Sequence, residues 1–169
     1  DATDKKRNNI AGQMSLFDDL EETHEIVLPD VDEYEKRELL RLEKKSTGMY
    51  FSGHPMEEYE LELRKITKHN TAMINESVIK TEDDEYVATS TGLQDGDNIA
   101  LGCIIEGRKN KITRSNKQMA FLTLEDAYGS VEALVFPKVL EGYSHKMNEG
   151  DIVMVYGTLS LREDEEPKI

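Results

Sequence analysis

The strongest constraint on this chain is a change of periodicity near residue 95. From there, short runs alternate apolar and polar residues with period two, and turn signals separate them. Asp95-Gly96 marks a turn, and residues 99–106 read as a first strand. Along 119–125, Ala120, Leu122 and Leu124 alternate against Met119, Phe121 and Thr123. Asp126-Ala127-Tyr128-Gly129 turns the chain, and Val131, Ala133 and Val135 then alternate against Glu132 and Leu134. Residues 137–147 fit a short helix, Asn148-Glu149-Gly150-Asp151 a turn, and 152–161 a fourth strand. Between the first two strands, 107–118 reads as a loop or a strand extension.

Upstream of residue 95 the period is helical or absent. Residues 1–28 read as a flexible segment whose one apolar island is Gly12-Gln13-Met14-Ser15-Leu16-Phe17. An apolar pair in a polar tail has no core of its own, so it is a candidate docking peptide. The alternative is that Leu16 and Phe17 pack on the helices downstream. Residues 29–70 read as a helical segment. Pro29 precedes Asp30, Asp32, Glu33 and Glu35, acids that favour a helix N-terminus, and Tyr34, Leu39, Leu42 and Met49 suggest an apolar stripe. Gly48 marks a kink or an end. Ser52-Gly53-His54-Pro55 is a turn, and Pro55 suits the first position of a second helix with Met56, Tyr59, Leu63 and Ile66 on one face. His54 reads as a turn or capping residue, since no His or Cys stands at metal-ligand spacing from it. Residues 71–94 read as an acidic linker, with Glu82, Asp83, Asp84 and Glu85 in a run.

Charge sharpens the division. The formal net charge is −14. Residues 1–97 hold 12 basic and 24 acidic side chains, and 98–169 hold 9 and 11. Within the second part, 107–118 carries Arg108, Lys109, Lys111, Arg114 and Lys117 with no acid. Screening limits the reach of charge to about 8 Å at physiological salt, so a local patch outweighs the total for a polyanion. The competing reading of that patch is a solvated loop. Cys103 is the one cysteine, which excludes a disulfide framework and fits a cytoplasmic setting; no apolar run is long enough to span a membrane.

Strand, basic loop, strand, turn, strand, helix, strand is the order of the OB fold, a partly open barrel that binds oligonucleotides. The fold class expected is therefore α+β: a short helical segment followed, over 95–169, by an OB-type antiparallel barrel. Phe121-Leu122-Thr123-Leu124-Glu125-Asp126 before Gly129, and Met147-Asn148-Glu149-Gly150-Asp151 before an apolar strand, resemble turns of nucleic-acid-binding OB domains. The resemblance implies single-strand binding on strands two and three and on the loop between strands one and two. Arg108, Lys109, Lys111, Arg114, Lys117 and Phe121 fall there. Leu122 and Leu124 share a face with Ala120, which favours Phe121 pointing outward over Phe121 in the core; Glu132 would share the binding face and weaken binding.

Gly12-Gln13-Met14-Ser15-Leu16-Phe17-Asp18 resembles the sliding-clamp-binding motif. It stands upstream of Leu39-Leu40-Arg41-Leu42-Glu43-Lys44-Lys45 and of Gly48-Met49-Tyr50-Phe51-Ser52-Gly53-His54-Pro55-Met56. Together with the OB order, that stretch is similar to the region after the clamp motif in the alpha subunit of bacterial DNA polymerase III, DnaE type. The resemblance implies a segment of a DNA-directed DNA polymerase. Its partners would be the sliding clamp (beta subunit) through Gln13, Met14, Leu16 and Phe17, single-stranded DNA, and the rest of the holoenzyme, with no membrane. No carboxylate trio suited to two-metal phosphoryl transfer is visible, so neither a catalytic site nor a cofactor is expected in this segment. The alternative is an OB module that binds RNA or tRNA, appended to another enzyme. An OB barrel also needs a fifth strand. Pro167-Lys168-Ile169 looks like its opening, so the expectation is a truncated fifth strand, an unpaired sheet edge and marginal stability.

Overall fold

The computed structural model describes residues 30–81, 86–89, 92–163 and 165–169. The chain divides into two units, Asp1–Tyr34 and Glu35–Ile169. In the first, residues 30–34 are exposed and belong to no helix or strand. The second holds every described helix and strand.

Helix α1, Lys36–Thr47, ends at Gly48, which adopts φ 82° and donates its N–H to the Lys44 carbonyl at 2.8 Å. A side chain with Cβ resists that left-handed conformation, so the glycine stops the helix there. The Glu43 carboxylate then accepts the N–H groups of Phe51 and Ser52 and the Ser52 hydroxyl, folding the chain back. His54 Nδ1 accepts the Met56 N–H at 3.1 Å and shapes the turn before a 3-10 turn, Glu57–Tyr59, and α2, Glu60–Ile66. The expected stripe of α1 is turned by one position. Tyr34 and Met49 lie outside the helix and are exposed, as is Leu39, whereas Leu40 is buried.

The region expected as an acidic linker carries further elements. Helix α3 spans Thr71–Asn75, capped by Asn70 Oδ1, and strands β1, Val78–Lys80, and β2, Tyr86–Ala88, form an antiparallel pair. Ile74 of α3 belongs to the hydrophobic core of the main sheet. The sequence shows no period here because α3 is a little over one turn long.

The main sheet has the order β5-β4-β3-β6 and is antiparallel throughout. Its strands are β3, Asn98–Ile112; β4, Gln118–Asp126; β5, Gly129–Val135; and β6, Ile152–Thr158. Helix α4, Pro137–Tyr143, leads through a 3-10 turn, Ser144–Lys146, toward β6. The basic stretch is mostly strand extension: β3 runs to Ile112, and only 113–117 turns. β3 is shared. Residues 98–104 pair with β6, and 104–112 pair with β4, with a register shift between Ile105 and Gly107. Such a shift bends the strand and lets one sheet curl. Lys168 bridges Glu132 of β5 in parallel and Ser160 antiparallel, and the Leu134 N–H reaches the Ile169 carbonyl. The edge expected to be unpaired is thus bridged, and the curled sheet with its short helices is the α+β OB arrangement. Ile99, Leu101, Cys103, Ile105, Ala120, Leu122, Leu124, Val131, Ala133 and Val135 fill its interior. Burial, helped by the charge of Asp126, pushes the Cys103 thiol up to about 12, which leaves it an inert core residue.

Candidate nucleic-acid interface

Alternation in β4 decides which side chains leave the core. Ala120, Leu122 and Leu124 are buried, so Phe121 and Thr123 stand on the opposite, partly open face, as the alternation predicts. Directly paired residues in an antiparallel ladder share a face. One row across the sheet is therefore Lys109, Phe121 and Leu134; the next is Gly107, Thr123, Glu132 and, through its bridge, Lys168. Lys111 pairs with Met119 at the open end, and its ammonium lies 4.5 Å from the Phe121 ring centroid. A cation at that distance from an aromatic face is held by the ring quadrupole.

The remaining predicted basic residues divide. Arg114 and Lys117 are exposed in the 113–117 turn, which the Thr113 hydroxyl ties to Lys117 and in which Asn116 adopts φ 58°. Among the described residues Lys109, Lys111, Arg114 and Lys117 enter no ion pair. Arg108 is different. It pairs with Leu122, on the core side, and its guanidinium donates to the carbonyls of Ser144 and Met147, to Ser144 Oγ and to Asn110 Oδ1. Arg108 clasps the segment after α4 to the end of the barrel rather than offering its donors to a ligand. Gln13, Met14, Leu16 and Phe17 lie outside the described residues.

One end of the face is closed by the helical segment. Glu125, two residues beyond Thr123, meets Lys44 Nζ at 3.0 Å and His54 Nε2 at 3.6 Å; Lys44 also reaches Glu106 at 2.8 Å. Tyr50 stacks edge-on to His54, with the Lys44 ammonium 5.0 Å from its ring. Burial alone would raise the Glu125 carboxyl, but the nearby His54 imidazole and the hydrogen-bonded Lys44 ammonium outweigh it and hold the group below the ordinary carboxylate range. Burial would likewise lower the Lys44 ammonium, and Glu106 and Glu125 overcome this and raise it. The same end of β4 is tied by Asp126. This buried carboxylate accepts the Thr71 N–H and hydroxyl and the N–H groups of Tyr128 and Gly129. A further close contact is set by Gly102: a Cβ there would lie 2.3 Å from Leu63 Cδ2, so the Leu63 side chain of α2 packs into space on β3 that a larger residue would take.

Sequence reasoning missed Gly107, Thr123 and Lys168 as parts of this face. The signal for Thr123 was present in the same alternation that placed Phe121. Lys168 needed the closing bridge, and Gly107 needed the register shift, neither of which has a local signature. Among the described residues, no group of His, Cys, Asp and Glu side chains is placed to hold a metal ion, and no helix is long and apolar enough to cross a membrane.

Comparison with known proteins bears on both halves of the chain. Residues 103–169 match the family described as OB-fold nucleic acid binding domain. The chain is similar to DNA polymerase III subunit alpha of Treponema pallidum, 29% identical over 95% of this chain and 12% of that protein. The same protein of Bacillus subtilis is 30% identical over 90% of this chain and 12% of its own length. That of Aquifex aeolicus is 33% identical over 76% of this chain and 10% of its own length. The chain is thus homologous to one region of DNA polymerase III alpha subunits, and it spans 10–12% of the length of these relatives.

Proposed function

We propose that this segment holds single-stranded template DNA on the outward face of β4 and β5 and tethers a replicative polymerase to its sliding clamp through Gln13, Met14, Leu16 and Phe17. It works in the cytoplasm as a non-catalytic part of a DNA-directed DNA polymerase and takes no cofactor. The observation that carries the DNA half is the row Lys109–Phe121, with the Lys111 ammonium over the same ring. A half-exposed aromatic ring such as Phe121 offers stacking worth roughly 1–3 kcal/mol per base, in any sequence. Lysines beside it offer phosphate contacts without base preference. Lys109, Lys111, Arg114 and Lys117 follow the backbone, and Arg108 acts indirectly by fixing the barrel end from which they project. The clamp half rests on the motif and on similarity that extends through the helical segment.

The test is titration of single-stranded DNA at several salt concentrations. For single strands the log–log slope is about −0.7 per phosphate neutralised. Reversing Lys109, Lys111, Arg114 and Lys117 to Glu should flatten the slope and nearly abolish binding, and Phe121→Ala should weaken binding with the slope unchanged. An unchanged slope after reversal would falsify the assignment. The family match admits an RNA ligand as well, and tighter binding to an oligoribonucleotide than to DNA of the same sequence would favour that reading.

A further inference from the structure

The same face carries a group that a pure polyanion binder has no use for. Glu132 sits on its β5 side, one row from Phe121, paired with Thr123 on β4 and bridged to Lys168 on the other side. The two rows are about 6.8 Å apart, two residues along a strand. The carboxylate is not saturated. Lys168 Nζ lies 3.8 Å away, beyond hydrogen-bond range, and is itself engaged by Glu165 at 2.8 Å. Among the described residues no donor hydrogen-bonds the Glu132 carboxylate, whereas an ionised carboxylate can accept about four. Across β4 in the same row, a Cβ on Gly107 would meet nothing nearer than the Thr123 hydroxyl at 3.6 Å, so the β3 end of that row is a shallow notch.

Charge orients a strand lying here. The cations Lys109 and Lys111 stand on the β3 side of Phe121 and enter no ion pair among the described residues; on the β5 side stand Glu132 and, beyond it, Glu165, with Lys168 between them engaged by Glu165 at 2.8 Å. Phosphates are drawn to the first side and repelled from the second. A base stacked on Phe121, or its neighbour in the next row, therefore presents its hydrogen-bonding edge toward Glu132. A carboxylate only accepts hydrogen bonds. It takes one from the exocyclic amino group of cytosine, adenine or guanine; unpaired thymine and uracil offer an N3–H instead, but the two carbonyls flanking that donor repel a carboxylate and make the approach less favourable.

We infer that Glu132 is a specificity determinant of the DNA face: its carboxylate accepts from amino-bearing bases and disfavours keto pyrimidines. This rests on the single-strand reading above and deepens it. The experiment measures binding of oligo-dC and oligo-dU of equal length to the full chain at neutral pH, by fluorescence anisotropy. The two differ at the pyrimidine edge and not in the backbone. The native chain should bind oligo-dC about fivefold more tightly, the size of one hydrogen bond of roughly 1 kcal/mol. Glu132→Gln is isosteric at a half-exposed position, and its amide both donates and accepts. That variant should bind both oligomers more tightly, because a negative charge is gone, and bring them within about twofold of each other. Equal binding by the native chain, or a preference that survives Glu132→Gln, overturns the inference and leaves Glu132 as a repulsive charge only. Failure to bind either oligomer overturns the single-strand reading itself, so the two outcomes are distinct.

Discussion

At the scale of single residues, two neighbours on β3 separate structure from binding. Arg108 and Lys109 are adjacent in sequence, yet one faces the barrel end and the other the open face. Arg108→Ala removes three charge-assisted bonds to Ser144 and Met147 and leaves the carbonyls without their donor. A loss of about 1.5–3 kcal/mol is expected, read as a lowered denaturant midpoint. DNA affinity measured well below the melting temperature should hardly change. If Arg108→Ala instead weakens DNA binding as much as Lys109→Glu while stability holds, Arg108 is a ligand contact after all. Composition alone could not divide these five cations, because the distinction depends on strand parity and on where the 144–147 segment returns. Phe121 was legible: Ala120, Leu122 and Leu124 claim the other face, and the structure agrees.

At the scale of elements, the helical segment is fastened to the barrel by charge as well as by packing. Lys44 on α1 and His54 in the following turn meet Glu106 on β3 and Glu125 on β4. The Glu125 carboxyl is held below its ordinary value of 4.5, so its contribution is present above that value and is lost as pH falls through the lower, folded one. The Lys44 ammonium is raised above 10.5, so its contribution is complete below that value and is lost as pH rises through the raised one. The contribution of the Lys44–Glu125 pair should therefore be level across neutral pH and weaken at both extremes. Glu125→Gln should flatten the acid limb, followed by the near-ultraviolet dichroism of Tyr50 as pH is lowered from about 6, above the ordinary carboxylate range. An acid limb identical in native and variant chains would show that Glu125 does not carry it. The elements of the sheet were legible from period two, including the order that specifies the barrel. The short helix α3 and the pair β1–β2 were not. Each is about one turn or three residues long, below the length at which periodicity can be read, and each owes its position to tertiary partners such as Asp126 and the core around Ile74.

For the whole molecule, the proposed tether and the proposed DNA face are separable. Leu16 and Phe17 lie outside the described residues, early in the sequence, and the proposed DNA face lies within Glu35–Ile169. Buried aliphatic and aromatic anchors dominate small interfaces, so Leu16→Ala with Phe17→Ala should abolish calorimetric heat with the purified clamp. DNA binding by the same variant should be unaffected, and Ser15→Ala should leave clamp binding unchanged. Full clamp affinity in the double variant would show that the motif is not the anchor. β3 allows no such separation within the second unit. Its first half carries Gly102 against Leu63 and pairs with β6; its second half carries Lys109 beside Phe121 and pairs with β4. A slip of one residue along either partner would turn core side chains to solvent and cations to the core in both halves at once. The helix dock and the DNA face are therefore cut from one ribbon. In amide exchange the protons of 98–112 should open together, by global unfolding rather than by local fraying.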